Sequence, residues 1–167
     1  LIVGYSDITA LHNLLGLYGV PSLHANMCKD LSLLPDDDVA LAAERDFLTA
    51  AELPSCLSLT SHLLPLTYHP SPHHANIPYT IHHMPSSSLN RGGEVKGRLI
   101  GGNLSVLYGL QGTPYSLNAV IDKLEEAPVL LIEDICERHY HIDRMLNNLR
   151  MSGVLGRLSG VIVGQFT

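Results

Sequence analysis

The stretch IVGYSDIT near the start of the chain places a serine, Ser6, between a short apolar run and a helical pattern. A serine on a sharp strand-to-helix turn has its hydroxyl lifted clear of the sheet edge, and the next backbone N–H can stabilise an oxyanion. Gly4 permits close chain approach, so Ser6 is a candidate nucleophile and the N–H of Asp7 a candidate oxyanion donor. However, G-x-S lacks the second glycine of the usual elbow motif, and by local pattern alone the commoner role of Ser6 or Asp7 is to cap the helix.

A second candidate group is the pair of carboxylates in LLIEDICERHYHIDRML, Glu133 and Asp134. They fall at the C-terminal end of an apolar run that predicts a buried strand, where open α/β sheets usually hold functional groups. A carboxylate there can orient a catalytic histidine, as the acid of a Ser-His-Asp/Glu set does. Alternatively, both carboxylates cap or charge the following helix, whose surface ion pairs are worth ~0–1 kcal/mol each. The local pattern leaves both interpretations open.

Ten histidines raise the question of a metal site. Four of them form adjacent pairs, His73–His74 and His82–His83, in a Pro-rich stretch, and the chain has no H-E-x-x-H or equivalent carboxylate-supported spacing. We therefore expect surface or connector histidines, no metal and no other cofactor. His139 and His141 lie near Glu133 in sequence, but on a turn that points away from it as readily as towards it, so neither is assigned as a catalytic base.

These groups must be positioned by strands and helices, and the chain alternates between the two patterns. Apolar runs predict strands over 1–4, 95–101, 127–134 and 158–166, the last two of them buried, while helical patterns predict helices over 8–19, 36–53, from about 103, and over 141–153. GRLIGGNL lacks the marks of a phosphate or dinucleotide loop, so Gly101 and Gly102 are interpreted as sites of close packing between a strand and the next helix. Strands alternating with helices predict an α/β fold with parallel strands.

Composition excludes several function classes. The chain has 167 residues, 46% of them hydrophobic, and a net charge of −6 with no basic run, which argues against nucleic acid or an anionic membrane as a partner. The three cysteines, Cys28, Cys56 and Cys136, have neither disulfide-framework nor zinc-site spacing, so a reducing compartment fits best. No apolar run approaches the ~20 residues of a membrane helix. These observations favour a cytoplasmic protein.

Four blocks of the sequence resemble the LD-carboxypeptidase family of serine peptidases, which includes the microcin immunity peptidases. The blocks are GYSDITALH, GRLIGGNLSVLYGLQGTPY, LLIEDICERHYHIDRMLNNLRMSGVL and GVIVGQF, and they follow the order found in the family. The resemblance implies that Ser6 is the nucleophile, that the N–H of Asp7 is half of the oxyanion hole, and that Glu133 is the triad glutamate. It also implies part of a flavodoxin-like parallel-sheet nucleophile domain followed by part of a second α/β domain.

By the same resemblance, the substrate is a muropeptide whose terminal D-alanine is released in peptidoglycan recycling, no metal takes part, and the protein is a homodimer. The domains are expected at 1–53 (end of the nucleophile domain), 54–90 (a Pro/His-rich connector) and 91–167 (start of the domain carrying the glutamate). Family members extend beyond both ends of this sequence, so we expect an internal fragment, inactive alone, whose triad histidine lies outside it. Two alternatives stay open: an immunity-type peptidase that hydrolyses a peptidyl-nucleotide antibiotic, and an inactive truncated module.

Overall fold

The computed structural model describes residues 1–27, 32–33, 35, 39–49 and 88–166. The chain divides into two compact units, one made of Leu1–Leu31 and Glu94–Thr167 and the other of Ser32–Gly93. The connector predicted at 54–90 lies almost entirely outside the described residues. No helix among the described ranges is long and apolar enough to span a lipid bilayer.

The strands and helices alternate along the chain. In order they are β1 (Val3–Gly4), α1 (Ile8–Leu17), β2 (Leu23–His24), α2 (Val39–Thr49), β3 (Leu99–Asn103), α3 (Leu104–Gly109), α4 (Leu117–Ile121), β4 (Val129–Asp134), α5 (His139–Met151) and β5 (Gly160–Phe166). Within the second unit, α2 confirms the interior of the helix predicted over 36–53, while both ends of that prediction lie outside the described residues. α4 and β2 are absent from the predicted elements.

Both sheets of the first unit are parallel. β1 pairs with β2, and β3, β4 and β5 form a three-stranded sheet in that order. Parallel neighbours need crossover connections, and α1, the α3–α4 pair and α5 supply helices between successive strands. The predicted α/β class with parallel strands is confirmed.

The hydrophobic core lies between the three-stranded sheet and the helices α3, α4 and α5. Its buried members include Leu130 and Ile132 from β4, Leu104 and Leu107 from α3, Leu117 and Val120 from α4, and Met145 and Leu149 from α5. Ile142 and Leu146 pack against it, so the predicted apolar face of α5 is confirmed. Full burial of each such side chain contributes ~1.5–3 kcal/mol. This packing holds the C-terminal ends of β3 and β4 in position.

The prediction that the last strand is buried is wrong for most of β5. Val161 and Val163 are 48% and 54% exposed, whereas Ile162 is buried. Side chains alternate between the two faces of a sheet, so Val161 and Val163 lie on the face opposite Ile162, whereas β3 at the other edge of the sheet is covered by α1. Continuous hydrophobicity is typical of central parallel strands, and it does not distinguish them from an edge strand.

The fully buried side chains of helix α1 are polar, and Leu17 near its end packs against the hydrophobic core. Thr9 and Asn13 are buried, and Gly16 faces Val120 of α4. Asn13 donates from Nδ2 to the carbonyl of Tyr115 at 3.3 Å. The apolar spacing of Ile8, Leu11, Leu15 and Tyr18 correctly predicts a helix, but Leu11 and Tyr18 are exposed and the buried face is that of Thr9 and Asn13.

Candidate active site

Ser6 lies in the turn between β1 and α1, and its backbone is in the left-handed region with φ 56°. That conformation is uncommon for a residue with a side chain and clusters at functional sites, where surrounding contacts maintain it. Here the carbonyls of Tyr5 and Ser6 accept hydrogen bonds from the N–H groups of Ile8 and Thr9, at 3.2 and 2.9 Å. The geometry is that of a nucleophile elbow, a sharp strand-to-helix turn that presents the hydroxyl.

The helix-capping interpretation of Ser6 and Asp7 is not what the structure shows. Asp7 occupies the N-cap position with helical backbone angles and no capping hydrogen bond from its side chain, which is exposed. In the part of the chain that the structure describes, no hydrogen bond joins the Ser6 hydroxyl to the first turn of α1. The first N–H groups of a helix lack intrahelical partners, so the N–H of Asp7 is of the kind that can receive an oxyanion.

Glu133 is the penultimate residue of β4 and pairs in register with Asn103 of β3. Its side chain is 19% exposed, and its Oε1 is buried without a hydrogen-bond partner among the described residues. Burial raises the pKa of this carboxyl, the charge of Asp134 raises it further, and the Asn103 side chain partly opposes both. Gly164 of β5 leaves room for it, since a Cβ there would be 3.1 Å from the Glu133 Cβ.

Asp134 plays a different part from its neighbour. It is 2% exposed, and Oδ1 accepts from Asn103 Nδ2 at 3.0 Å and from the N–H of Ile135 at 2.9 Å. Its Oδ2 accepts from the N–H of Ser105 at 2.8 Å, at the start of α3. Asp134 therefore secures the junction of β3 and α3, not the helix that follows it, and only Glu133 has an oxygen without a partner here.

Two histidines that the sequence did not single out lie beside the candidate residues. His24 of β2 has its Nε2 3.7 Å from Glu133 Oε1, and its side chain is 23% exposed. Its ring centroid lies 5.7 Å from that of His12 on α1. Burial, and secondarily the charge of His12, lowers the pKa of His24 to about 4. No sequence signal identifies His24, because its partner is more than a hundred residues away.

The two candidate regions are joined through the start of α1. The N–H of Asn103 donates to Thr9 Oγ1 at 3.0 Å. Gly102, with φ 136°, makes this approach possible, since a Cβ there would be 2.5 Å from Thr9 Oγ1 and 3.3 Å from His24 Nδ1. Close packing was the predicted use of Gly102, but its contacts are α1 and β2 and not the next helix. The Ser6 turn and the Glu133 strand thus belong to one packed unit.

His139 and His141 do not contact Glu133 in the described structure. His141 Nδ1 lies 2.9 Å from Glu137 Oε2, one turn away along the same stretch of chain. His139 lines a small cleft with Asp134, Glu137, Ile142 and Phe166. Within the described residues no three His, Cys, Asp or Glu side chains are grouped to hold a metal ion.

Comparison with known proteins shows which family this chain is similar to. Residues 96–167 match the LD-carboxypeptidase C-terminal domain. The chain is 32% identical over 165 residues to the probable murein peptide carboxypeptidase of Bacillus subtilis, covering 98% of this chain and 42% of that protein. It is 29% identical over 166 residues to the murein tetrapeptide carboxypeptidase of Pseudomonas aeruginosa, covering 99% and 46%.

The fold agrees with these matches. The crystal structure of muramoyltetrapeptide carboxypeptidase from Oxalobacter formigenes superimposes with a TM-score of 0.69 at 24% identity, over 100% of this chain and 46% of that one. These matches support the LD-carboxypeptidase family, whose C-terminal domain residues 96–167 match, and the chain spans less than half the length of these relatives.

Proposed function

We propose that this chain is part of a serine peptidase of the LD type, which releases the terminal D-alanine from murein tetrapeptides. Ser6 is the nucleophile, the N–H of Asp7 is one oxyanion donor, and Glu133 orients the catalytic histidine. The observation that carries the proposal is the left-handed backbone of Ser6 between a parallel strand and a helix. The names of the relatives from Bacillus subtilis and Pseudomonas aeruginosa support the substrate class.

The chemistry follows from these roles. Ser6 Oγ attacks the carbonyl before D-alanine while its proton passes to the histidine, and the Asp7 N–H donates to the oxyanion of the tetrahedral intermediate. Collapse breaks the C–N bond, and the histidine returns the proton to the departing amine. Water then attacks the acyl-enzyme in the same way and restores Ser6. Glu133 holds the imidazole in position and stabilises the imidazolium.

The environment of Glu133 supports this role. The Glu133 carboxylate has capacity left to accept an imidazole N–H, whereas the oxygens of Asp134 are already occupied. His24 is a poor general base, because a pKa of about 4 is far below neutral pH. We therefore assign the base to a histidine other than His24, which the family resemblance places outside this chain.

The remaining features of the proposal concern the whole protein. We propose the domain division 1–53, 54–90 and 91–167, a homodimer, and a cytoplasmic site of action in peptidoglycan recycling. Residues 1–31 and 94–167 form one compact unit, so parts of the first and third proposed segments pack together. A chain spanning under half of its relatives is proposed to be inactive by itself.

The test compares this chain with a completed form, in which flanking segments of the Bacillus subtilis relative are joined to both ends. We expect D-alanine release from a murein tetrapeptide by the completed form only. Ser6→Ala should lower that release by ~10⁴-fold or more, because a triad acts as a unit. A fluorophosphonate probe should label the completed form and fail to label Ser6→Ala.

Ser88→Ala is the matched control, since Ser88 is an exposed serine, and it should retain activity and labelling. Undiminished D-alanine release by Ser6→Ala would contradict the proposal. Cleavage of an aminoacyl-sulfamoyl adenosine without D-alanine release would favour the immunity-type peptidase instead. If the completed form shows neither labelling by the probe nor cleavage of either substrate, the result would favour an inactive module.

A further inference from the structure

We propose that His24 is a positioning residue for Glu133: a neutral imidazole that directs its Nε2–H at Oε1 and leaves Oε2 for the triad histidine. The catalytic consequence rests on the proposed function, whereas the contact itself does not. His24 comes from β2 and Glu133 from β4, so the contact joins the two parallel sheets of the unit.

The geometry brings together two groups with unmet hydrogen-bonding capacity. Glu133 Oε1 and His24 Nδ1 are both buried without a partner among the described residues, and Nε2 lies 3.7 Å from Oε1. That separation exceeds a hydrogen bond by about 0.5 Å, and catalytic hydrogen bonds in unliganded sites are often long and shorten when substrate binds. A small rotation of either side chain completes the bond.

The surroundings of His24 decide its protonation. The ring is largely buried and faces a second imidazole, His12, so it is uncharged at neutral pH. A neutral imidazole has one N–H, and placing it on Nε2 supplies Oε1 with a donor. The alternative tautomer would place an N–H on Nδ1, which is buried against Gly102 with no described acceptor. A buried N–H without an acceptor costs more free energy than a buried ring nitrogen that accepts no hydrogen bond.

His24 is itself held from the nucleophile side of the unit. His12 Nε2 lies 3.0 Å from the carbonyl of Gly4, and its Nδ1 lies 2.7 Å from Ser22 Oγ. Gly4 also pairs with His24 in the parallel register of β1 and β2. The row Gly4, His12, His24 and Glu133 therefore connects the strand that precedes Ser6 with the triad acid. We infer that these contacts hold the Glu133 side chain in position and do not transfer a proton.

The first experiment measures the pKa of Glu133 by ¹³C NMR in the full chain, with the resonance assigned by its loss in Glu133→Gln. His24→Leu removes the donor and should raise the pKa of Glu133 by about 1, because a hydrogen bond to a carboxylate favours its charged form. His24→Gln retains an N–H near the Nε2 position and should keep the pKa within ~0.3 of the wild-type value. An equal Glu133 pKa in His24→Leu and wild type would overturn the proposal.

His141→Leu is the matched control, because it removes another histidine–glutamate contact, that of His141 with Glu137, and should leave Glu133 unchanged. If His24→Leu does not fold, the wild-type ¹⁵N spectrum decides: the neutral Nε2–H tautomer of His24 at pH 7 is expected. The Nδ1–H tautomer, or a charged ring, would overturn the proposal.

The kinetic readout uses the completed form. His24→Leu should lower kcat for D-alanine release by about tenfold with KM within about twofold, and His24→Gln should restore most of it, as expected for a misplaced acid. An unchanged kcat in His24→Leu would overturn the positioning role. Absence of D-alanine release by the wild type would contradict the proposed function instead, while the Glu133 titration would still report on the contact.

Discussion

The nucleophile region, residues 1–24, and the acid region, residues 99–166, are held in place by different forces. β1 and β2 have two residues each, and the start and middle of α1 are held by hydrogen bonds from or to Thr9, His12 and Asn13, while Leu17 at its end packs against the core. Glu133, by contrast, is on a strand whose Leu130 and Ile132 belong to a continuous apolar core. Directional bonds fix the position of the serine turn, and non-directional packing carries the stability of the acid region.

The largest difference should appear when apolar side chains are truncated. Leu130→Ala should reduce the free energy of unfolding by about 2–5 kcal/mol, because Leu130 is fully buried in the core of the acid region. Leu11→Ala on α1 should cost less than about 1 kcal/mol, because Leu11 is 39% exposed. Urea unfolding measures both values. Equal losses would show that α1 is held by apolar packing after all.

A second comparison sets Asp134 against Glu133. Asp134→Asn should destabilise by about 2 kcal/mol, because its amide would face the N–H of Ser105 with a donor in place of an acceptor. Glu133→Gln should leave stability unchanged or slightly higher at neutral pH. The folded-state pKa of Glu133 is raised, so its contribution is favourable at low pH and lost as pH rises through that pKa.

The same urea titrations, run at pH 7, decide this comparison. A cost for Glu133→Gln as large as that for Asp134→Asn would mean that Glu133 is held by hydrogen bonds in the folded chain. That result would place both carboxylates in a structural role.

The last effect appears only on acidification and originates at His24. Because the pKa of His24 falls from 6.5 to about 4 on folding, its contribution is fully present above pH 6.5 and is lost as pH falls towards 4. His24→Gln should therefore reduce the loss of stability between pH 6.5 and 4 by about 2–3 kcal/mol, since each pKa unit corresponds to about 1.4 kcal/mol. His12 and Glu133, the titratable groups that face it, are retained in both proteins. Parallel stability curves would contradict the assignment.

Local patterns in the sequence predict most of the elements, though not β2 and α4, and they identify Ser6 and Glu133 as candidates without deciding their roles. The strand before Gly4, the helix beginning near Asn103 and the apolar face of α5 depend on neighbours a few residues away, so periodicity and capping identify them. The partners of His24 and Thr9 are separated from them by most of the chain, and no local pattern encodes such a contact. The edge position of β5 could not be predicted for the same reason, since strand order is a property of the whole sheet.

Glu133 and Asp134 show the limit most clearly. They are adjacent, chemically alike and at the same strand end, so the local pattern treats them as equivalent. In the fold, Asp134 accepts hydrogen bonds from three donors, whereas Glu133 Oε1 lies 3.7 Å from the His24 imidazole. The difference is visible only once the strands are in register.

The bond between Asn103 and Thr9 has a consequence for synthesis of the chain. Its two residues are 94 positions apart, and the ribosome adds roughly 5–20 residues per second. The β1–α1–β2 segment therefore emerges roughly 5–20 s before the strand that satisfies Thr9 exists. During that interval the polar groups of this segment that are buried in the folded chain are exposed to water, chaperones and proteases. The order of translation thus leaves the nucleophile turn without its Asn103 partner until β3 has been made.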